Sequence, residues 1–511
     1  MRGRWPFQLP ALLLALYFAA VFAWLALQRV GYPFELEWME GGSLQHLQRV
    51  LAGKALYGPP SLDFVPYPYP PLYYYAGALL TPLFGAGFPA LRGVSLLASC
   101  GSAWVIFAWV RRETGRDFLG LVCAGTFLAT FRASGAYMDV ARLDSLFVFL
   151  ALLSLLLLRF ARTRSALVGA GLCAAAAIMT KQTGVVLYAP ILLWCLRADW
   201  REAGGAIAPG SRMRAFVLPM LGIVALSVVV LDGLLGQRFL WYVVGAQAAH
   251  EIRWSMLPGL VARDLVLALP LMSLLALGYA VLRARDAEAS FFLALLVGAG
   301  LAYVIPRAKA GGAMNNLILI HACLIVAGGV AAGRVEGWMG AMAGWTERRG
   351  EAALALGLAL QLLLLVYDPR IALPQPSDEA AGWRLVERLA ALEGEVLMPA
   401  QGYLAVMAGK RSFAHQRPVD DLANSGLADA EALREEFAAA IRGRRFAAIV
   451  DSTSIFLQHY PDSSVLRESY GASGPVFARP RTLVPRSGWG VSPGLLWRPK
   501  AEPGSGAASR R

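Results

Sequence analysis

Two carboxylates three residues apart, Glu37 and Glu40, stand in the segment Glu35-Leu36-Glu37-Trp38-Met39-Glu40-Gly41-Gly42. On a helix that spacing puts both on one face. Carboxylates this close raise one pKa, which suits a general base that takes a proton from an acceptor hydroxyl. The same oxygens can equally hold a divalent cation such as Mg or Mn. The two glycines behind them permit close backbone approach. Cations stand further along the chain, at Arg142, Lys181, Arg307 and Lys309. Such groups can hold a phosphate leaving group and stabilise the charge that develops on it. Asp139 and Asp144 flank Arg142, Gln182 follows Lys181, and Asn315 follows Lys309. With Glu35, Asp63 and the aromatic stretch Tyr67 to Tyr75, which includes Tyr69 and Tyr73, they form a candidate substrate-binding set. Tyrosine rings can pack against a sugar face or a lipid chain. Together these residue types describe transfer of a sugar from a lipid-linked phosphate donor to an acceptor.

The elements that must position them are long apolar runs. Of the 511 residues, 57% are hydrophobic and only 16% are charged. Soluble proteins are nearer ~45–50% apolar and ~25% charged, so a single water-soluble globule is excluded, as are a disordered chain and a coiled coil. The net charge of +13 does not mark a nucleic-acid groove, because the basic residues sit in short clusters between apolar runs. The first run, about 7–28, reads as a signal anchor. Ten more follow, roughly at 90–110, 118–132, 143–159, 165–180, 184–197, 215–234, 259–282, 289–306, 314–333 and 351–367. Pro71–Phe84 is apolar but too short to span, and reads as an interfacial or re-entrant helix. Alternation then puts Arg111, Arg112 and Arg116, Arg159 to Arg164, Arg197 to Arg214, Arg283 and Arg285, and Arg334 to Arg349 on the cytoplasmic side. The fold class is therefore a polytopic α-helical membrane protein of about 11 transmembrane helices over residues 1–367, with the N-terminus cytoplasmic and the C-terminus outside.

All the candidate chemistry shares the outer side under this topology. The first outer loop, 31–88, carries an amphipathic helix at Ser43–Ala52. Another outer turn holds Gln237, Arg238, His250 and Glu251. Residues 368–498 form a small extracytoplasmic α/β domain, with helix patterns at Glu379–Leu392 and Asp429–Gly443 and strand patterns at Glu395–Met398 and Phe446–Asp451. The tail 499–511 is expected to be disordered. The five Cys lie in apolar runs and read as small core residues. His46, His250, His321, His415 and His459 do not cluster, so no histidine metal site is expected.

Plainer readings compete at each position. Asp139, Arg142 and Asp144 can form a structural ion pair at a span end. Lys181 can snorkel to the interface, and the aromatic stretch can be an interfacial belt. Two other function classes stand beside the transferase. A lipid or polysaccharide transporter or flippase needs mid-membrane ionisable groups and broken helices in matching halves, and the sequence offers neither. A non-catalytic cell-envelope assembly protein would use the outer domain to bind partners.

At these residues the chain resembles the polytopic GT-C glycosyltransferases: family 39 protein O-mannosyltransferase-like enzymes, lipid A aminoarabinose transferases and the rhizobial lipopolysaccharide-transferase set. The likeness spans about residues 8–330. It rests on Glu37 to Gly42, a following helix ending at Gly53, Pro70-Pro71-Leu72-Tyr73-Tyr74, Arg142 with Asp144, Lys181 with Gln182, and Lys309 with Gly311 and Asn315. The resemblance implies a polyprenyl-phosphate sugar donor, inversion, an acidic base in the first loop, a glycan, lipid or protein acceptor, and a place in the bacterial cytoplasmic (inner) membrane. Glu40-Gly41 fits the family's Glu position, Met39 stands where Asp is usual, and Glu37 is the substitute carboxylate.

Overall fold

The computed structural model describes residues 5–202, 211–245, 252–309, 312–343, 346–423, 428–452 and 463–501. His250, Glu251, Gly311, His459 and most of the tail lie outside them. Helix α1 (Trp5–Val30) leads into two helices of the first loop, α2 (Glu40–Leu51) and α3 (Leu72–Phe84). Then come α4 (Phe88–Thr114), α5 (Asp117–Ala129), α6 (Asp144–Phe160), α7 (Arg164–Thr180), α8 (Gly184–Glu202) and α9 (Arg212–Val228). The bundle is completed by α10 (Leu257–Val261), α11 (Pro270–Leu282), α12 (Ala287–Arg307), α13 (Leu317–Ala343) and α14 (Glu347–Leu363). Each of the eleven apolar runs is thus helical. Among the described residues, five helices are long and apolar enough to cross a membrane, or six if one bent pair counts as a span.

Sequence punctuation explains the ends. Gly115 takes a left-handed φ of 70° and closes α4. The Thr163 side chain accepts from Ala166 N and opens α7. The run 259–282 is not one straight helix: Trp254–Leu267 and Pro270–Leu282 meet at 105°. Pro270 excludes Leu269 from the helical region, and Leu269 sits at φ −134°, ψ 59°. The single apolar run 259–282 of the sequence is thus a bent pair of helices. Helix α13 is the hub, with 94% of its Met314–Arg334 window buried. It packs on α4, α5, α6, α11, α12 and α14. A helix apolar all round belongs in such a place. Cys123, Cys195 and Cys323 are core residues as expected, but Cys100 is exposed.

The first loop is clamped by Arg92, about one turn into α4 and fully buried. Its Nε donates to Glu40 Oε1 at 2.9 Å and its Nη2 to Glu40 Oε2 at 2.6 Å. The same guanidinium donates to the carbonyls of Arg29 and Phe34. Glu40 also accepts from Leu36 N and Ala141 N. A second buried pair, Arg29 with Asp139 at 2.7 Å, ties the end of α1 to the turn before α6. Gly42 lies against Tyr67, where a Cβ would come within 2.0 Å of the hydroxyl. This is the close approach that the glycine pair permits.

Beyond α14 comes a four-stranded sheet, β1 (Glu395–Leu397), β2 (Phe446–Ser452), β3 (Tyr470–Pro475) and β4 (Pro493–Pro499), in the order β1-β2-β4-β3. β1 and β2 are parallel and the other pairs antiparallel. Helices Pro376–Ala390 and Ala428–Arg442 lie within a residue or three of the expected patterns. This unit sits on the first loop: Arg486 N and Ser487 N both donate to Leu36 O at 2.9 Å, and Ala414 N donates to Leu62 O.

Removing one partner of a buried charge pair leaves the other uncompensated. Arg92→Ala is therefore expected to cost about 3–5 kcal/mol of stability. Arg411→Ala, which removes an exposed partner of Asp63, should cost no more than about 1 kcal/mol. Thermal unfolding of the detergent-solubilised chain checks both; equal losses would contradict the clamp.

Candidate active site

Four segments converge on one cavity at the end of the bundle where α6 and α8 begin and α7 and α12 end. The loop before α2 supplies Glu37 and Trp38, and the turn before α6 supplies Tyr137 and Arg142. Lys181, Gln182 and Thr183 come from the α7–α8 turn, and Lys309, Asn315 and Asn316 follow α12. Tyr69 joins from the aromatic stretch. The roof is contributed by the C-terminal unit, through Arg417, Asp421 and Trp489.

Glu37 is held by its own turn, with Met39 N donating to its Oε2 at 3.0 Å. The Tyr137 hydroxyl donates to Oε1 at 3.4 Å, and Arg142 Nη1 lies 3.6 Å from Oε2. The carboxyl is 1% exposed. Burial raises its pKa to about 7 and outweighs Arg142, which acts in the opposite direction. Gly488 (φ 73°) presses on this group: a Cβ there would meet Glu37 Oε1 at 2.7 Å. The Trp38 and Trp489 rings stack at 5.3 Å beside it.

The cations are arranged differently from one another. Arg142 Nε and Nη1 are buried without a hydrogen-bond partner, so the guanidinium keeps donor capacity toward the cavity. Lys181 Nζ is fixed by Asp144 Oδ1 at 2.6 Å and Asn316 Oδ1 at 2.9 Å. Asn315 Nδ2 donates to the same Asp144 oxygen. Burial lowers the Lys309 ammonium from its usual range. Gln182 Nε2 donates to Pro68 O, which anchors the aromatic stretch to the α7–α8 turn.

Glu37, Arg142, Lys181, Lys309, Tyr69, Gln182 and Asn315 therefore meet as the sequence suggested. The others do not line the cavity. Glu40 is spent on Arg92 and two backbone amides, which lower its pKa against the burial that would raise it. Its two oxygens are thus taken up in holding the loop to α4 and to the turn before α6. Glu35 turns away to accept from Gly41 N. Asp63 pairs with Arg411 at the surface. The Tyr73 hydroxyl is buried, donating to Leu91 O. Asp139 serves Arg29, and Asp144 positions Lys181 rather than facing the cavity. Arg307 is committed to Asp264 at 3.2 Å and to Gly312 O. In place of the alternative ion pair among Asp139, Arg142 and Asp144, each of the three pairs with another segment.

The donor set does not fit the suggested divalent cation. Glu40 is withdrawn into its own ion pair, and Glu37 stands beside a cation, Arg142. Among the described residues, no group of three or more His, Cys, Asp or Glu could hold a metal. His46 stacks between Tyr67 and Tyr74, and burial lowers its pKa to about 3.

Arg417, Asp421 and Trp489 escaped the sequence reading. Arg417 and Asp421 form an i,i+4 ion pair at 2.7 Å on a short polar helix. In sequence that pattern is indistinguishable from a solvated helix face.

The profile of the dolichyl-phosphate-mannose-protein mannosyltransferase family matches residues 68–231. None of the curated proteins matches the chain in sequence. In structure the chain is similar to ArnT from Cupriavidus metallidurans bound to undecaprenyl phosphate, with a TM-score of 0.61 at 14% identity, covering 95% of this chain and 98% of that one. It is also similar to the archaeal oligosaccharyltransferase AglB from Archaeoglobus fulgidus, in complex with an inhibitory peptide and a dolichol-phosphate, with a TM-score of 0.53 at 12% identity, covering 92% and 73%. These are GT-C proteins, and the chain has the GT-C fold that its sequence resemblance implied.

A carboxyl with this environment has a spectroscopic signature. Infrared titration should show a protonated carboxyl band that disappears near pH 7 and is missing in Glu37→Gln. A Glu37 titration below pH 5 would contradict the buried setting.

Proposed function

We propose that the chain is a membrane glycosyltransferase that moves a sugar, hexosyl or pentosyl, from a polyprenyl-phosphate donor to a glycan, lipid or protein acceptor. The reaction takes place at the outer face of a bacterial cytoplasmic membrane. One observation carries the reading: a buried carboxyl with a pKa near neutrality shares a cavity with four cations, Arg142, Lys181, Lys309 and Arg417. The polyprenyl phosphates bound by ArnT and AglB support a lipid-linked donor. The arginine-rich turns at the opposite end of the bundle support the outer-face placement.

Glu37, unprotonated, takes the proton of the acceptor hydroxyl as its oxygen attacks the anomeric carbon. The bond from that carbon to the phosphate oxygen breaks, and the electron pair leaves with the polyprenyl phosphate. Arg142, Lys181 and Lys309 hold the phosphate and stabilise its added charge. A single displacement inverts the anomeric configuration. Asp144 and Asn316 are positioning residues that keep the Lys181 ammonium aimed into the cavity.

Glu37→Gln is expected to lower the transfer rate by about 10²–10⁴-fold while the protein still inserts and folds. The wild-type rate should fall about tenfold per pH unit below pH 7, because the protonated carboxyl cannot act as base, and should level off above it. Product formation from a polyprenyl-phosphate sugar in nanodiscs measures both. Full activity in Glu37→Gln would overturn the assignment.

A further inference from the structure

A second cavity lies at the other end of the bundle, where α6 and α8 end and α9 and α12 begin. The 17-residue α6 separates it from the Glu37 cavity by about 25 Å at 1.5 Å per residue. It has a volume of about 280 Å³, and Arg159, Arg197, Arg201 and Arg212 line it with Trp194 and Glu288. Among these four guanidinium groups, Arg197 and Arg201 give the cavity its positive rim.

The acids nearby are already engaged. Arg159 Nε donates to Glu113 Oε1 at 2.7 Å. Glu288 pairs with Arg334 at 2.9 Å. Asp199 is buried and accepts from Met213 N, which fixes the start of α9 against α8. Arg212 lies over the Trp194 ring at 5.6 Å. Among the described residues no carboxylate pairs with Arg197 or Arg201.

The same face of α8 is amphiphilic. Leu193 is 67% exposed, and it shares a stripe at i, i+4 and i+8 with Arg197 and Arg201. Leu193 lies midway along α8 on its exposed side, and the cations lie toward the helix end. Trp200 stands beside them, 56% exposed. Such a surface meets an acyl chain along the helix and a phosphate at its tip.

We infer that this cavity is a binding site for the phosphate headgroup of an anionic phospholipid, separate from the Glu37 cavity. Charge complementarity selects the headgroup, and the exposed Leu193 and Trp200 select a lipid over a free phosphate.

The test uses the full chain in detergent. Phosphatidylglycerol or cardiolipin is titrated, with phosphatidylcholine and inorganic phosphate as comparators, and binding is read by native mass spectrometry and melting temperature. The anionic lipids should bind and raise the melting temperature; the comparators should not. Arg197→Gln with Arg201→Gln should weaken anionic-lipid binding by about 30-fold, on the order of fivefold per cation. Arg197→Lys with Arg201→Lys should retain most of it, and Glu288→Gln should tighten it. If the double Gln variant fails to fold, the Lys and Glu288 variants still decide. Equal binding of phosphatidylcholine, equal stabilisation by inorganic phosphate, or a Glu288→Gln variant that binds less tightly would overturn the inference.

Discussion

The Glu40–Arg92 pair is the constraint on which the rest of this architecture depends. A guanidinium buried within an apolar helix cannot stay there without a carboxylate, and a carboxylate cannot stay buried without it. Once they meet, the loop after α1 has one position. Glu40 draws in Leu36 N from its own loop and Ala141 N from the turn before α6. The turn that carries Arg142 is thereby fastened to the loop that carries Glu37. Two acids that look equivalent in the sequence acquire opposite roles: one is neutralised and structural, the other is desolvated with its proton affinity raised.

The C-terminal unit completes the enclosure. Its backbone donates to Leu36 O, Trp489 stacks on Trp38, and Gly488 lies against the Glu37 carboxyl. Without that lid Glu37 would face water, and the burial that raises its pKa would be lost. The soluble part of the chain is therefore part of the electrostatics of the cavity. Behind the cavity, ion pairs run between segments, Asp144 to Lys181 and Asp264 to Arg307. These separate the cations into one group that faces the cavity and one that braces α12.

Much of this was legible in the sequence. The apolar runs located every bundle helix, because burial in lipid or in a helical core demands them. The grouping of Glu37, Arg142, Lys181 and Lys309 followed from which helix ends share a side. The partner of each charge was not legible. Arg92 was hidden inside an apolar run, so Glu40 looked available for chemistry when it was already committed. Asp139 and Asp144 sit close to Arg142 in sequence, yet tertiary pairing sent them to Arg29 and Lys181. Arg417, Asp421 and Trp489 reach the cavity across a gap of several hundred residues, and no local pattern announces that contact. The break at Pro270 was readable from the proline, but the length of the surrounding apolar run suggested a continuous span.

The central claim is that one cavity holds both the base and the phosphate-binding cations. A structure of the chain with a polyprenyl phosphate bound tests it most directly. The account requires the phosphate oxygens to lie about 2.7–2.9 Å from nitrogens of Arg142, Lys181 or Lys309, with the Glu37 carboxyl facing the space beside the phosphate. A phosphate seated elsewhere on the protein, with these three cations turned away from it, would contradict the account.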